Sequence, residues 1–274
     1  MHIYLNASEI AGLINKNKYN PQKDVIYDIL CRVKKEKNKS DNNKLEVINK
    51  TELLELLQFF QQSQLIDNTC CAQYKNDIKN NKNNDITEIS KAVLNKVSEK
   101  SVKTKCTDES KKLQNNIENN LKKVMKNKNI DKVNEYLTGH INKTRGIVNE
   151  NKIIEKYEKK NNTKIKDNNS KLYKMKLFDI EPHSIYICGK IDGIENNSLI
   201  EIKNRRNRLF EFIPLYEKIQ TEIYFRLTNL TQGKLIQNYN ETQSSFDIQS
   251  DDELWNTILS ELIYACNIII SENN

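Results

Sequence analysis

The chain has 274 residues, enough for one large domain or two small ones with a buried core. Its formal net charge is +7, with 44 Lys and Arg against 37 Asp and Glu, which is the sign expected for a protein whose partner carries phosphates. The six cysteines form no C-x-x-C pair, and neither a signal peptide nor an apolar run of membrane-spanning length is evident, so we expect an intracellular protein with free thiols and no structural zinc.

The N-terminal 34 residues are predicted to form two short helices. Ser8 precedes the apolar run of the first, where a serine commonly caps a helix. A hydroxyl at a helix N-terminus can also bind an anion, so capping and contact with a phosphate could share the same geometry at Ser8. The second helix is expected from Pro21 to Val33.

Residues 35–130 are rich in Lys and Asn and are predicted to be a helical insertion with polar loops. Helical periodicity covers three stretches, 51–65, 86–97 and 111–124. The apolar face of the first stretch is predicted to pack on the core or, alternatively, to dock a partner.

A further helix carries the sequence T-R-G-I-V-N-E, which ends at Glu150. Ile147, Glu150 and Ile154 fall on one stripe, so Glu150 occupies a position where an apolar residue is expected. An inward carboxylate needs a cation or a hydrogen-bond donor, which makes Glu150 a candidate metal ligand, with Glu155 on the neighbouring stripe as the alternative. Arg145 is predicted to contact a phosphate or to pair with Glu150.

Two strand-like segments, Ile185 to Asp192 and Leu199 to Lys203, are joined by a turn. Side chains alternate along a strand, so Glu201 and Lys203 share a face, and hairpin pairing would bring Asp192 towards them. Carboxylates bind hard divalent cations, and a neighbouring lysine can orient and help deprotonate a water for phosphodiester hydrolysis. An isolated E-x-K is more often a solvated ion pair. Here Glu201 lies among apolar residues typical of a buried strand, where an unpaired carboxylate is costly, so the pattern favours a metal-dependent nuclease site.

Three of the six arginines, Arg205, Arg206 and Arg208, follow this segment directly. A guanidinium binds phosphate oxygens in a bidentate manner that lysine cannot reproduce, so we expect these arginines to contact the DNA backbone. The alternative is a solvated turn. The aromatic residues are too dispersed along the chain to predict a base-stacking surface.

The C-terminal part is predicted to continue an α/β pattern. Strands are expected at 173–180, 234–239 and 245–248. A helix is expected to begin near Pro214, with Gln220 either reaching the catalytic pocket or bordering the sheet. Ser250 to Glu253 has the pattern of a capping box that opens a terminal helix.

Four motifs, in this order, resemble the PD-(D/E)XK nuclease superfamily and, within it, the YqaJ-like viral recombinases of the lambda-exonuclease type. They are the N-terminal L-N-A-S-E-I-A-G-L-I-N-K-N-K-Y, then T-R-G-I-V-N-E, then D-G…E-I-K, and last P-L-Y-E-K-I-Q-T-E-I-Y-F-R-L-T. The resemblance covers roughly residues 1–30 and 140–270, and E-I-K-N-R-R-N-R-L-F is most similar to homologues from large DNA viruses of eukaryotes. One departure is that Ile191, rather than a proline, precedes the aspartate.

The resemblance implies an α/β fold with a PD-(D/E)XK core, in which a central mixed β-sheet is flanked by helices. It divides the chain into N-terminal core helices at 1–34, a helical insertion at 35–130 and the catalytic core at 131–274. The implied active site consists of Glu150, Asp192, Glu201, the backbone carbonyl of Ile202, Lys203 and Gln220. The first four of these are the implied ligands of two Mg²⁺ or Mn²⁺ ions, and Ser8 would lie near the terminal phosphate of a DNA end.

We therefore expect a metal-dependent deoxyribonuclease. The resemblance implies digestion of linear double-stranded DNA from an end, 5′ to 3′, in recombination, replication or end repair. A structure-specific or restriction-type endonuclease and a non-catalytic DNA-binding scaffold are the alternatives. Expected partners are double-stranded DNA ends and a single-strand annealing or replication protein, without a membrane, and processive digestion would favour a homo-oligomeric ring. A viral protein of this kind would act in the host cytoplasm or nucleus.

Overall fold

The computed structural model describes residues 2–34, 48–80, 86–102, 107–124, 130–166 and 170–273. The chain divides into two compact units: unit 1 comprises Met1–Lys37 and Lys152–Asn274, and unit 2 comprises Asn38–Asn151. This division differs from the sequence-based one in residues 131–151, which group with the central helices rather than with the C-terminal segment.

The described residues contain nine helices: α1 (Ile10–Leu13), α2 (Gln22–Val33), α3 (Lys50–Gln62), α4 (Asn68–Asn80), α5 (Ile86–Val102), α6 (Thr107–Val124), α7 (Ile130–Asn161), α8 (Leu215–Thr228) and α9 (Asp252–Asn273). They also contain seven strands: β1 (His2–Asn6), β2 (Tyr173–Ile180), β3 (His183–Gly189), β4 (Gly193–Glu195), β5 (Ser198–Asn204), β6 (Gln232–Tyr239) and β7 (Thr242–Gln249). The predicted α/β class is confirmed at this level.

The described residues of unit 1 form two mixed sheets rather than the single central sheet that was predicted. One sheet has the strand order β1-β3-β2, and the other has the order β4-β5-β6-β7. Each contains one parallel pair, β1 with β3 and β5 with β6, and the remaining pairs are antiparallel. The parallel connection from β5 to β6 runs through α8, as parallel neighbours require a crossover.

Strand β5 is covered on both faces, and this determines where its polar residues point. On one face Leu199 belongs to the main core of unit 1, together with Ile219 and Ile223 of α8. On the other face Ile200 and Ile202 belong to a smaller cluster that includes the C-terminal part of α7. A strand buried on both sides leaves its charged residues inside the protein, as the sequence pattern predicted.

Unit 2 has an apolar core of its own. Most of its buried residues come from α3 to α7, among them Leu57, Phe60, Val93, Leu121 and Leu137. The apolar face of α3, which was predicted to pack on the main core or to dock a partner, packs instead against its neighbours within this unit. Helix α4 was not predicted.

Two predicted helix caps are wrong. Helix α1 has only four residues, its N-cap is Glu9, and no side chain caps it, while Ser8 is exposed in the preceding turn. Helix α9 is capped by Asp251, whose Oδ1 accepts from the Leu254 N–H at 3.0 Å, one residue later than the predicted Ser250. The backbone N–H of Asp251 donates to Glu222 of α8 at 2.8 Å, which replaces the predicted capping-box glutamate.

Helix α9 also corrects the expectation that no apolar segment reaches membrane-spanning length. Residues Asp252–Glu272 have a mean hydropathy of 1.3 over a stretch long enough to span a bilayer. One face of this helix, which includes Ile258, Leu262 and Ile269, is fully buried in the core of unit 1. Over the whole apolar stretch, 28% is buried.

Candidate active site

A short β-hairpin brings Asp192 and Glu201 together. Strands β4 and β5 pair antiparallel with Gly193 opposite Ile200, so the next position places Asp192 opposite Glu201. The turn consists of two asparagines, 196 and 197, with φ values of 46° and 64°, as a tight two-residue hairpin turn requires. The predicted strand from 185 to 192 is in fact divided, because β3 ends at Gly189 in the other sheet.

The Asp192 carboxylate is fixed against the strand that carries the other site residues. Its Oδ2 accepts a hydrogen bond of 2.7 Å from the backbone N–H of Ile202. Asp192 directly precedes β4, so this hydrogen bond extends the contact between the two arms of the hairpin by one position. This contact also holds its carboxylate next to Glu201.

Glu201 is the most constrained charged group in the site. Its side chain is about 2% exposed, and its Oε1 lies 2.7 Å from Lys203 Nζ. Its Oε2 is buried and has no hydrogen-bond partner within the described structure. Burial raises the pKa of Glu201 to about 8, with a further contribution from the charge of Asp192 and an opposing one from Lys203.

Lys203 is held between the glutamate and a helix residue. Its Nζ donates to Gln220 Oε1 at 2.8 Å, and Gln220 Nε2 donates to the Tyr224 hydroxyl at 3.0 Å. Burial opposes the charged form of Lys203, but Glu201 and Asp192 outweigh it and raise the pKa of the ammonium. Of the two readings left open for Gln220, the structure supports the one in which it reaches the pocket.

Tyr224 was not singled out from the sequence, although it lies one helical turn after Gln220 on the same face. Space for its ring is provided by Gly189 at the end of β3, where an added Cβ would lie 2.9 Å from the ring. The glycine thus allows α8 to approach β3 closely enough for the chain of contacts from Lys203 to Tyr224 to form.

The predicted phosphate contact of Arg205 is wrong. The side chain is buried, and its guanidinium pairs with both carboxylate oxygens of Glu217 on α8, with Nη2 to Oε2 at 2.8 Å. Its Nε donates to Gln237 of β6 at 2.9 Å. The donors are therefore engaged inside the protein. Strand β5 ends at Asn204, so Arg205 lies one residue beyond the alternating segment that positions Glu201 and Lys203.

The remaining predicted residues lie in different surroundings. Three of them, Arg206, Arg208 and Ser8, are exposed in unit 1, and their contacts with DNA stay predictions. Glu150 is half-buried in the part of α7 that belongs to unit 2. Arg145 lies in the same part of α7, with a side chain outside the described structure. The roles proposed for these two residues likewise stay predictions.

The donor set at the hairpin suits a hard divalent cation. Two carboxylates lie next to each other, and one of their oxygens is buried without a partner, which is the situation that a cation relieves. The Ile202 carbonyl is the predicted third oxygen. Within the described ranges no cluster of three or more His, Cys, Asp and Glu side chains has an arrangement suited to a metal, so the site rests on two carboxylates.

No family model matches the chain, and no curated protein matches it. Among solved structures, one described as "Crystal structure of SSO0001" is similar, with a TM-score of 0.37 and 17% sequence identity. The match covers 48% of this chain and 63% of that one, so this chain spans less than two thirds of the matched structure. A similarity this low indicates neither an activity nor a substrate.

Proposed function

We propose that this protein is a metal-dependent deoxyribonuclease in which Asp192 and Glu201 bind the cation and Lys203 assists the chemistry. The observation that supports this most strongly is the buried, unpartnered Oε2 of Glu201 beside a second carboxylate. A buried carboxylate oxygen without a partner is costly, and the ion pair with Lys203 engages only the other oxygen of Glu201.

The surroundings fit a substrate that carries phosphates. The chain has a formal net charge of +7, and the exposed Arg206 and Arg208 follow Lys203 within five residues. Contacts of this type fix a DNA backbone without reading its sequence. The buried Arg205 holds the start of this segment in place through Glu217.

Bound Mg²⁺ or Mn²⁺ would supply charge neutralisation at the phosphate and a lowered pKa for the attacking water. Asp192 and Glu201 would hold it, with the Ile202 carbonyl as a further predicted ligand. Lys203, fixed by Gln220, can donate to a phosphate oxygen and counter the charge that develops in the transition state.

The test is digestion of end-labelled linear duplex DNA in Mg²⁺ and in EDTA. We expect cleavage only with the metal, a loss of at least a hundredfold in Lys203→Ala and Glu201→Gln, and wild-type activity in Lys23→Ala, which removes an exposed lysine on α2. DNA affinity of Lys203→Ala should change little. Cleavage that survives in both site variants would contradict the assignment.

The mode of digestion rests on the resemblance to YqaJ-like recombinases, and we extend the proposal to 5′ to 3′ digestion from an end. A closed circular plasmid and linear duplexes labelled at either terminus distinguish the modes. Release of the 5′ label first, with the circle intact, supports the exonuclease. Cutting of the circle would identify an endonuclease with the same site.

A further inference from the structure

A cleft of about 290 Å³ lies on unit 1, beside the segment that follows Lys203. Its walls include four aromatic side chains and two cations: Tyr19, Phe210, Phe212, Tyr216, Lys18 and Arg208. No such surface was predicted, because these aromatic residues are dispersed along the chain. The fold gathers them by placing the segment after α1 next to the segment before α8.

Two of these aromatic rings are unusually open to solvent. Tyr19 and Phe212 are each 72% exposed. Tyr19 also makes an edge-to-face contact with Tyr216, with ring centroids 6.0 Å apart. Isolated exposed aromatics are common on surfaces, but several around one concave site suggest that the site has an occupant.

The wall of the cleft is held rigidly. Gln237 accepts from the backbone N–H of Phe210 at 2.9 Å and donates to its carbonyl at 2.7 Å. The Phe210 ring lies against the Arg205 guanidinium, 4.0 Å from its centroid, and Arg205 is itself fixed by Glu217. The buried arginine is therefore a support for this wall, and the cleft is formed in advance of binding.

The charge of the cleft suits an anionic group. The cleft is lined by two cations, Lys18 and Arg208, and by one carboxylate, Glu211, so its lining has an excess of one positive charge. Lys18 Nζ lies 5.0 Å from the centroid of the Tyr19 ring, so a cation and a stacking surface are side by side. An apolar partner segment would have no use for these cations, whereas a nucleotide combines a flat ring with a phosphate.

The cleft adjoins the candidate active site. Tyr216 lies on its wall and directly precedes Glu217, the partner of Arg205. Phe210, another residue that lines the cleft, lies against Arg205, which follows Lys203 by two residues. A strand that enters the active site would therefore pass near this cleft.

We propose that the cleft binds an unpaired nucleotide of a DNA strand, with its base stacked on Tyr19 and Phe212 and its phosphate near Lys18 and Arg208. This inference rests on the proposed function in one respect, namely that the strand belongs to the DNA being digested. The volume is at the lower end of the roughly 300–1,000 Å³ of small-molecule pockets, which suits one nucleotide at a time.

The test is the affinity of a fluorescent single-stranded oligothymidylate, measured by anisotropy in EDTA so that no cleavage occurs. We expect Tyr19→Ala and Phe212→Ala each to weaken binding by about 5-fold to 150-fold, the range for loss of one stacked base. Phe212→Trp should restore binding. The control is Tyr264→Ala, which removes an aromatic that is 68% exposed on α9, away from the cleft, and should bind as the wild type does.

A blunt duplex of the same length should bind all of these variants equally. Wild-type affinity of both alanine variants for the single strand would overturn the cleft proposal, as would equal losses for single strand and duplex. If the wild type cleaves DNA and binding by the variants is unaffected, the cleft proposal is wrong and the nuclease proposal stands. Absence of cleavage, with binding that still depends on Phe212, would reject the nuclease and retain the cleft.

Discussion

Replacing Glu201 with glutamine removes the carboxylate whose burial dominates the electrostatics of the candidate site. Its pKa in the folded protein is about 8, against an ordinary value of 4.5. At 1.36 kcal/mol per pKa unit, the difference corresponds to roughly 5 kcal/mol between the protonated and charged forms. The amide has nearly the same shape, so packing changes little.

The sign follows from the raised pKa. Without metal, the folded state binds a proton at Glu201 between about pH 4.5 and 8 that the unfolded state has released. The free energy of unfolding is therefore highest, as far as this group is concerned, below pH 4.5, and it falls as the pH rises to about 8. Glu201→Gln lacks this decrease. At pH 8.5 in EDTA the free energy of unfolding of Glu201→Gln should exceed that of the wild type by up to roughly 5 kcal/mol. This is an upper limit, because the amide is a weaker partner for Lys203.

The assay is urea unfolding at pH 5 and pH 8.5 in EDTA, followed by the fluorescence of Trp255. This is the only tryptophan of the chain, and it packs against the core of unit 1, so it reports on the unit that carries the site. Glu241→Gln, at an exposed position between β6 and β7, serves as the control and should follow the wild type. Mg²⁺ at a hundred times its Kd should raise the free energy of unfolding of the wild type by about 2.7 kcal/mol, and that of Glu201→Gln by less. The same pH dependence in wild type and Glu201→Gln would refute the reasoning.

Three further predictions concern residues on β5 and β6 or just after β5. Arg205→Ala leaves Glu217 buried without its partner and should cost about 3–5 kcal/mol of stability in urea unfolding, whereas a loss below 1 kcal/mol would show that the pair is dispensable. Gly233→Ala would place a Cβ 2.5 Å from a backbone oxygen of β5 and should destabilise the protein by about 1–3 kcal/mol, measured by thermal circular dichroism. Its control is Gly139→Ala, where an added Cβ has nothing within 4 Å, and which should be neutral or stabilising by up to about 1 kcal/mol. The double change of Arg206 and Arg208 to alanine should weaken DNA binding and reduce its salt slope by about 1–2, and an unchanged slope would remove these arginines from the interface.

Much of the candidate site followed from local patterns. The alternation around Glu201 and Lys203 and the turn before them were enough to predict a buried carboxylate, a lysine on the same face and an aspartate across a hairpin. The resemblance to a nuclease family suggested Gln220, which the fold brings to Lys203. These features depend on contacts within one hairpin and one following helix, so short-range patterns carry them.

Features that depend on long-range closure were not predictable in the same way. The composition around Arg205 suggested a surface contact, and only the approach of Glu217 from α8 shows that the guanidinium is neutralised inside the protein. The aromatic cleft joins residues almost two hundred positions apart in sequence, such as Tyr19 and Tyr216. The structure has two sheets instead of the single one that the resemblance implied, because the chain leaves one sheet after Gly189 and enters the next at Gly193.

The measurement that tests the central claim most directly is nucleotide release from a linear duplex by the wild type and Glu201→Gln, each in Mg²⁺ and in EDTA. The account predicts release by the wild type in Mg²⁺ alone. Release in EDTA, or equal release by Glu201→Gln in Mg²⁺, would contradict the assignment of Glu201 as a cation ligand. A folded wild type that releases nothing in either Mg²⁺ or Mn²⁺ would contradict the nuclease function itself.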